Sequence, residues 1–186
     1  MFIETEQTPN PATLKFLPGR TVLDSGTADF ATTAEAARSP LAERLFQVEG
    51  VKRGFLGQDF ISVTKAAEKE WFVLKPAILG VIMEHFIAGK PMLLGEAEAE
   101  AEEDAAGGPQ AEIIAQIKEL LDTRVRPAVA QDGGDITFRS FENGVVYLNM
   151  RGACSGCPSS TATLRMGIEN MLRHYIPEVI EVRPVP

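Results

Sequence analysis

Residues 95–109 read GEAEAEAEEDAAGGP and contain no large apolar side chain. Such a run buries too little apolar surface to offset the entropy lost on ordering it. It therefore divides the chain into two stretches, each of which has to fold around its own core. Glu96, Glu98, Glu100, Glu102, Glu103 and Asp104 carry six negative charges with no base among them. We read the segment as a flexible, self-repelling linker, a solvated spacer rather than a docking element. A chain of 186 residues, 45% hydrophobic, has enough length and apolar material for two small domains. The expected organisation is a domain over 1–94, the linker over 95–109, and a second domain over 110–186.

The net charge of -8 lies almost wholly in that linker. Residues 1–94 hold eleven acids and ten bases, and residues 110–186 hold nine and eight. Neither half offers the basic stripe that neutralises phosphates, so no nucleic-acid partner is expected. Apolar runs are broken by Lys, Glu or Gly short of a membrane span, so no membrane partner is expected either. The segment Met1-Phe2-Ile3-Glu4-Thr5-Glu6 has neither a basic, apolar signal nor the Arg-rich character of a transit peptide. With only two cysteines, a reducing compartment is expected, and a cytoplasmic, bacterial location.

The first half mixes strand and helix periods. Strands are expected over 13–17, closed by Pro18-Gly19, and over 51–56 and 60–64, joined by a hairpin at Gly57-Gln58-Asp59. A helix is expected over 40–46, with Ser39 as N-cap and Pro40 at its first position. A second is expected over 75–87, stopped by Gly89, with Ile78, Leu79, Ile82, Met83 and Phe86 on a broad apolar face. His85 reads as a packed or surface histidine, and Trp71 and Phe72 as core or interface residues ahead of the helix. No chemistry is evident in this small α+β domain.

The second half has a sharper pattern. Ile113, Ile114, Ile117, Leu120, Leu121 and Val125 recur at helical spacing, with Pro127 as a break or kink. Asp132-Gly133-Gly134-Asp135 is a turn before a strand over 136–141. Asn143-Gly144 signals a hairpin returning over 145–150. Gly152-Ala153-Cys154-Ser155-Gly156-Cys157-Pro158 follows. A helix then starts at Pro158, with Leu164, Ile168, Met171, Leu172 and Tyr175 as its apolar stripe and Pro177 as its end. A last strand is expected over 179–182.

Cys154 and Cys157 are the only thiols of the chain. Tetrahedral zinc and iron–sulfur centres commonly use four ligands, so one chain can supply half a site; if the pair binds a metal centre, two chains bring their pairs together, and if it does not, the pair is a redox dithiol. The helix N-terminus behind the pair is expected to lower the thiol pKa. Gly152 and Gly156 let backbone N–H groups approach sulfur. His174, at the far end of the helix, is about 24 Å away at ~1.5 Å per residue, so it is not a partner. Asp132 and Asp135 read as turn and strand-capping residues. Ser159, Ser160 and Thr161 read as first-turn hydrogen-bonding residues. Metal or cluster binding, a thiol–disulfide oxidoreductase and two buried thiols all remain open. The hairpin preceding the pair, in place of a βαβ context, and the lack of a flanking aromatic residue weigh against redox catalysis.

Two stretches carry a resemblance. Residues 125–136, VRPAVAQDGGDI, and residues 152–161, GACSGCPSST, resemble the C-terminal domain of the NifU family, the Nfu domain. Thr8-Pro9-Asn10-Pro11, Leu14-Lys15-Phe16, Pro18-Gly19, Ser39-Pro40-Leu41-Ala42 and residues 46–54 resemble the Nfu N-terminal domain. The likeness covers nearly all of the chain apart from the acidic linker. It implies a non-enzymatic iron–sulfur scaffold or carrier. Cys154 and Cys157 of two chains would hold one [4Fe-4S] cluster between subunits and pass it to apo-proteins. The implied partners are a second copy on cluster binding, apo iron–sulfur clients and an upstream cluster-assembly scaffold. The alternatives are a CxxC thiol–disulfide oxidoreductase or a zinc-bridged dimer. The U-type scaffold and ferredoxin-like domains of full-length NifU are not expected here, and the N-terminal domain is expected to target or dock clients.

Overall fold

The computed structural model describes residues 2–95, 108, 110–155 and 158–185. The chain forms two compact units, Met1–Ala99 and Glu100–Pro186, both α+β. Most of the expected linker, residues 96–107 and 109, lies outside the described residues.

In the first unit five antiparallel strands run in the order β1-β2-β5-β4-β3. They are β1 (Glu4–Gln7), β2 (Thr13–Leu17), β3 (Ala28–Phe30), β4 (Val51–Leu56) and β5 (Ile61–Lys65). The register sets Leu14 opposite Val63 and Phe16 opposite Ile61. These side chains share one core with Leu41, Leu45, Leu74, Ile78 and Ile82 of the helices. A short helix, α1 (Thr33–Ala36), starts with a capping box made by Thr32 and Glu35. In α2 (Pro40–Gln47) the Ser39 hydroxyl accepts the Ala42 N–H at 3.1 Å, as the sequence predicts.

The helix α3 (Trp71–Ala88) begins one turn earlier than its periodicity indicates and ends at Gly89 in the left-handed region, φ 64°. It runs through Pro76, which stands beyond the first turn. Trp71 is half-buried and donates from Nε1 to the Pro11 carbonyl, whereas Phe72 is exposed. Its mean hydropathy of 1.5 over 18 residues makes it long and apolar enough to cross a membrane, contrary to the reading of interrupted apolar runs. However, its stripe of Leu74, Ile78, Ile82 and His85 is buried within this unit.

The second unit begins with α4 (Ala111–Leu120), which continues through a π-helical turn (Leu121–Val125) into α5 (Arg126–Gln131). Pro127 does not break the helix. The wider turn ahead of it, closed by the Arg126 N–H on the Leu121 carbonyl, accommodates a residue that lacks an N–H and crowds the preceding turn. The strands β6 (Gly134–Glu142) and β7 (Val145–Gly152) form the expected hairpin. Asn143 (φ 51°) and Gly144 (φ 81°) are both left-handed, as a type I′ turn requires.

The helix α6 (Pro158–Tyr175) leads to β8 (Glu181–Val185), two residues later than the sequence suggests. β8 pairs in parallel with β7. Pro184 fits there because β8 is an edge strand. Ile168 and Leu172 of α6 are buried against Ile117, Leu121, Val146 and Leu148. Tyr175, expected on that stripe, is 48% exposed and lies under the Arg124 guanidinium.

Candidate metal centre

The loop holding the cysteines leaves the end of β7 through Gly152, in the left-handed region at φ 61°. The N–H of Cys154 is bonded to the Arg151 carbonyl and that of Ser155 to the Gly152 carbonyl, so the chain turns tightly as the strand ends. Cys154 is 6% exposed. Cys157 and Gly156 lie outside the described residues, as do the side chains of Ser159 and Ser160. Thr161, in the first turn of α6, donates its hydroxyl to the Cys154 carbonyl at 3.0 Å.

The turn before β6 forms the other wall. The Gly133 carbonyl accepts the Ala153 N–H at 3.2 Å, and Gly134 stands opposite Gly152 in the hairpin. A Cβ at Gly134 would lie 2.5 Å from Cys154 Sγ and 2.8 Å from the Arg151 carbonyl oxygen. Only glycine therefore lets the thiol occupy this place. The two motifs that are separate in the sequence are one unit in space.

Asp135 secures this turn from beneath. Its carboxylate is 5% exposed and bidentate to Arg126, with Nε on Oδ1 at 2.9 Å and Nη2 on Oδ2 at 3.0 Å. Oδ1 also accepts the Ile136 N–H. Arg126 reaches back to Asp122 in the π-helical turn. Asp135 holds the guanidinium firmly protonated, raising its pKa against the opposing effect of burial. The sequence reading made Asp135 a strand-capping residue and gave Arg126 no role. Nothing but the contact itself identifies the pair. Asp132 remains exposed.

Burial pushes the Cys154 thiol up to about 12, and the charges of Asp132 and Asp135 act in the same direction. The expected lowering by the helix N-terminus does not reach it, because Cys154 sits in the turn after β7 and α6 starts only at Pro158. A neutral buried thiol is a poor nucleophile. A thiophilic metal binds it by displacing the proton. Among the described residues, no group of three or more His, Cys, Asp or Glu side chains could hold a metal ion. The described donor atom of this loop is the Cys154 sulfur, walled by Gly134. One reason for setting redox catalysis aside does not hold. Because β8 is parallel to β7, the loop does sit in a βαβ crossover.

Family models match both halves of the chain. The NifU-like domain covers residues 117–183, and the Nfu/NifU scaffold N-terminal region covers residues 3–89. A Homo sapiens protein described as a mitochondrial NFU1 iron-sulfur cluster scaffold homolog is 52% identical over 100% of this chain, which spans 72% of that protein. Arabidopsis thaliana NifU-like protein 4, mitochondrial, is 49% identical over 96% of this chain and 64% of its own length. A Drosophila willistoni NFU1 homolog, also mitochondrial by name, is 52% identical over 100% of this chain and 64% of its own length. The chain thus spans roughly two thirds of the plant and fly relatives' length. These names overturn the expectation of a bacterial cytoplasmic protein. That expectation rested on the residues at which this sequence starts, and those say nothing about targeting. With both halves matched and half of the residues identical to the human relative, the chain belongs to the Nfu/NifU-like family of iron–sulfur cluster scaffold proteins.

Proposed function

We propose that this chain is a carrier of a [4Fe-4S] cluster, held between two copies by Cys154 and Cys157 of each and passed to apo-proteins. The cluster is cargo and the chain is not an enzyme. The observation that carries this reading is that the only two cysteines lie in one loop, with Sγ of the first packed where Gly134 leaves space for it. Two thiolates per chain make a four-thiolate set only when two loops meet. Because Cys154 is buried in the single chain, loading requires the loop to turn its sulfur outward from the end of β7. Residues 95–109 act as the spacer between a client-holding domain, 1–94, and the delivering domain, 110–186. An upstream cluster-assembly scaffold supplies the cargo.

A thiol–disulfide oxidoreductase has the βαβ setting in its favour. Against it stands the raised pKa of Cys154, which keeps the thiol neutral and a poor nucleophile toward a disulfide. Serine substitutions separate the two. The carrier reading expects Cys154→Ser and Cys157→Ser each to lose cluster retention and transfer to an apo-enzyme. Turnover of disulfide substrates by the wild type, or a mixed disulfide trapped by Cys157→Ser, would overturn it.

A further inference from the structure

The loop that follows β2 and the segment that follows α3 wall a groove of about 780 Å³ in the first unit, within the size range of ligand sites. Both walls are fixed. The Val22 and Leu23 N–H groups donate to the Gln58 carbonyl at 2.7 and 3.2 Å, and both side chains are buried. On the other side α3 ends at Gly89, Pro91 stiffens the exit, and the Leu94 N–H donates to the Arg38 carbonyl at 2.7 Å. Val22, Leu23, Phe86, Met92 and Leu93 give the groove its apolar surface. It is therefore formed before anything binds.

Two bases line this groove, Arg20 and Lys90, both exposed, and neither is in an ion pair among the described residues. The Arg20 guanidinium lies over the Phe86 ring, 5.3 Å from its centroid. Stacking orients the guanidinium and leaves its N–H groups, which lie in its own plane, free to grip a carboxylate. Asp24 is the one acid of the lining, so the groove carries a single net positive charge. A polyphosphate would bring more negative charge than the two bases offset beside Asp24, and it would leave the apolar surface unused. A peptide carboxylate with a bulky apolar neighbour uses both the bases and the apolar surface.

We infer that this groove is a docking site for an acidic peptide segment of another protein, in which a side-chain carboxylate stands beside a bulky apolar residue. Arg20 and Lys90 hold the carboxylate, and the apolar surface between the two walls takes its neighbour. The groove does not depend on the cysteines. That the segment belongs to a client awaiting its cluster rests on the carrier reading.

The test is amide NMR of the isotope-labelled full chain, titrated to about 2 mM with the capped peptide Gly-Glu-Leu-Glu-Phe-Gly. Saturable shifts are expected at the amides of residues 21–25 and 89–93. The same peptide with Gln for both Glu should bind at least about tenfold more weakly. Arg20→Glu and Lys90→Glu should each weaken binding of the acidic peptide, and Asp24→Asn should tighten it. All three positions are exposed, and circular dichroism would verify folding. Shifts that do not saturate, shifts elsewhere, or binding indifferent to the Gln peptide and to these variants would overturn the inference. So would binding that appears only once the acids of residues 96–104 are changed to Gln, since the chain's own acidic run would then be the occupant. If the peptide binds but no cluster loads, the carrier reading fails and the groove stands. If the cluster loads and transfers but no peptide binds, the groove fails and the carrier reading stands.

Discussion

Gly134 and Cys154 are twenty positions apart, and the thiol fits only because Gly134 has no side chain. Gly134→Ala places a methyl 2.5 Å from Sγ and near the Arg151 carbonyl, which cannot retreat without breaking the hairpin end. The expected outcome is a folded chain with little retained iron, measured by iron per chain after reconstitution; wild-type iron content would contradict the packing. Arg126→Ala removes the two-pronged charged partner of the buried Asp135 carboxylate. The cost should be about 2–3 kcal/mol in urea denaturation. Arg126→Lys should recover only part of it, since an ammonium cannot replace the two-pronged contact. Both motifs were visible in the sequence and both were singled out there. Their contact was not, because it depends on strand register rather than on either motif.

Among the elements, the type I′ turn at Asn143-Gly144, the Ser39 cap and the Gly89 stop were legible because each is set by local chemistry. The register was not. Counting back from the turn without interruption would set Asp135 opposite Gly152. A bulge between Phe138 and Ser140 shifts the pairing by one residue and brings Gly134 there instead. Nothing local to Arg139 announces a bulge. The direction of β8 was hidden for a similar reason, since pairing is a long-range property. On α3, His85 is 1% exposed and neither ring nitrogen has a hydrogen-bond partner. Burial holds its pKa below the usual imidazole value of 6.5, against a weaker pull from the Lys90 backbone. The unfolded chain therefore takes up a proton near pH 6.5 that the folded chain refuses. Stability from this group is full above that pH and falls as the pH drops through it, by at most about 1.4 kcal/mol per pH unit. Denaturation of the first unit at pH 7.5 and 5.5 should show that loss in wild type and a smaller one in His85→Gln. Equal losses would place the acid sensitivity elsewhere.

For the whole molecule, the acidic run of residues 95–109 marks the division between two units, each with its own core. Read as a spacer, it sets how freely a client held by one unit meets cargo carried by the other. Shortening it by about half should slow transfer to an apo-enzyme without reducing iron per chain, because effective concentration at a distance depends on linker reach. Equal transfer rates would contradict the spacer role. The strand and helix periods along each half made the α+β class legible, but nothing in the first half's sequence disclosed which face of its long helix is buried. The hydrophobic residues of α3 look alike until the sheet selects which of them to bury. The claim on which the rest depends is that two chains complete one sulfur site. Anaerobic reconstitution, with iron, sulfide and zinc counted per chain alongside the mass in solution, tests it most directly. The account predicts about four iron and four sulfide per two chains in a brown dimer, lost in Cys154→Ser and in Cys157→Ser. A colourless chain that resists reconstitution, or one that binds zinc in place of iron, would contradict it.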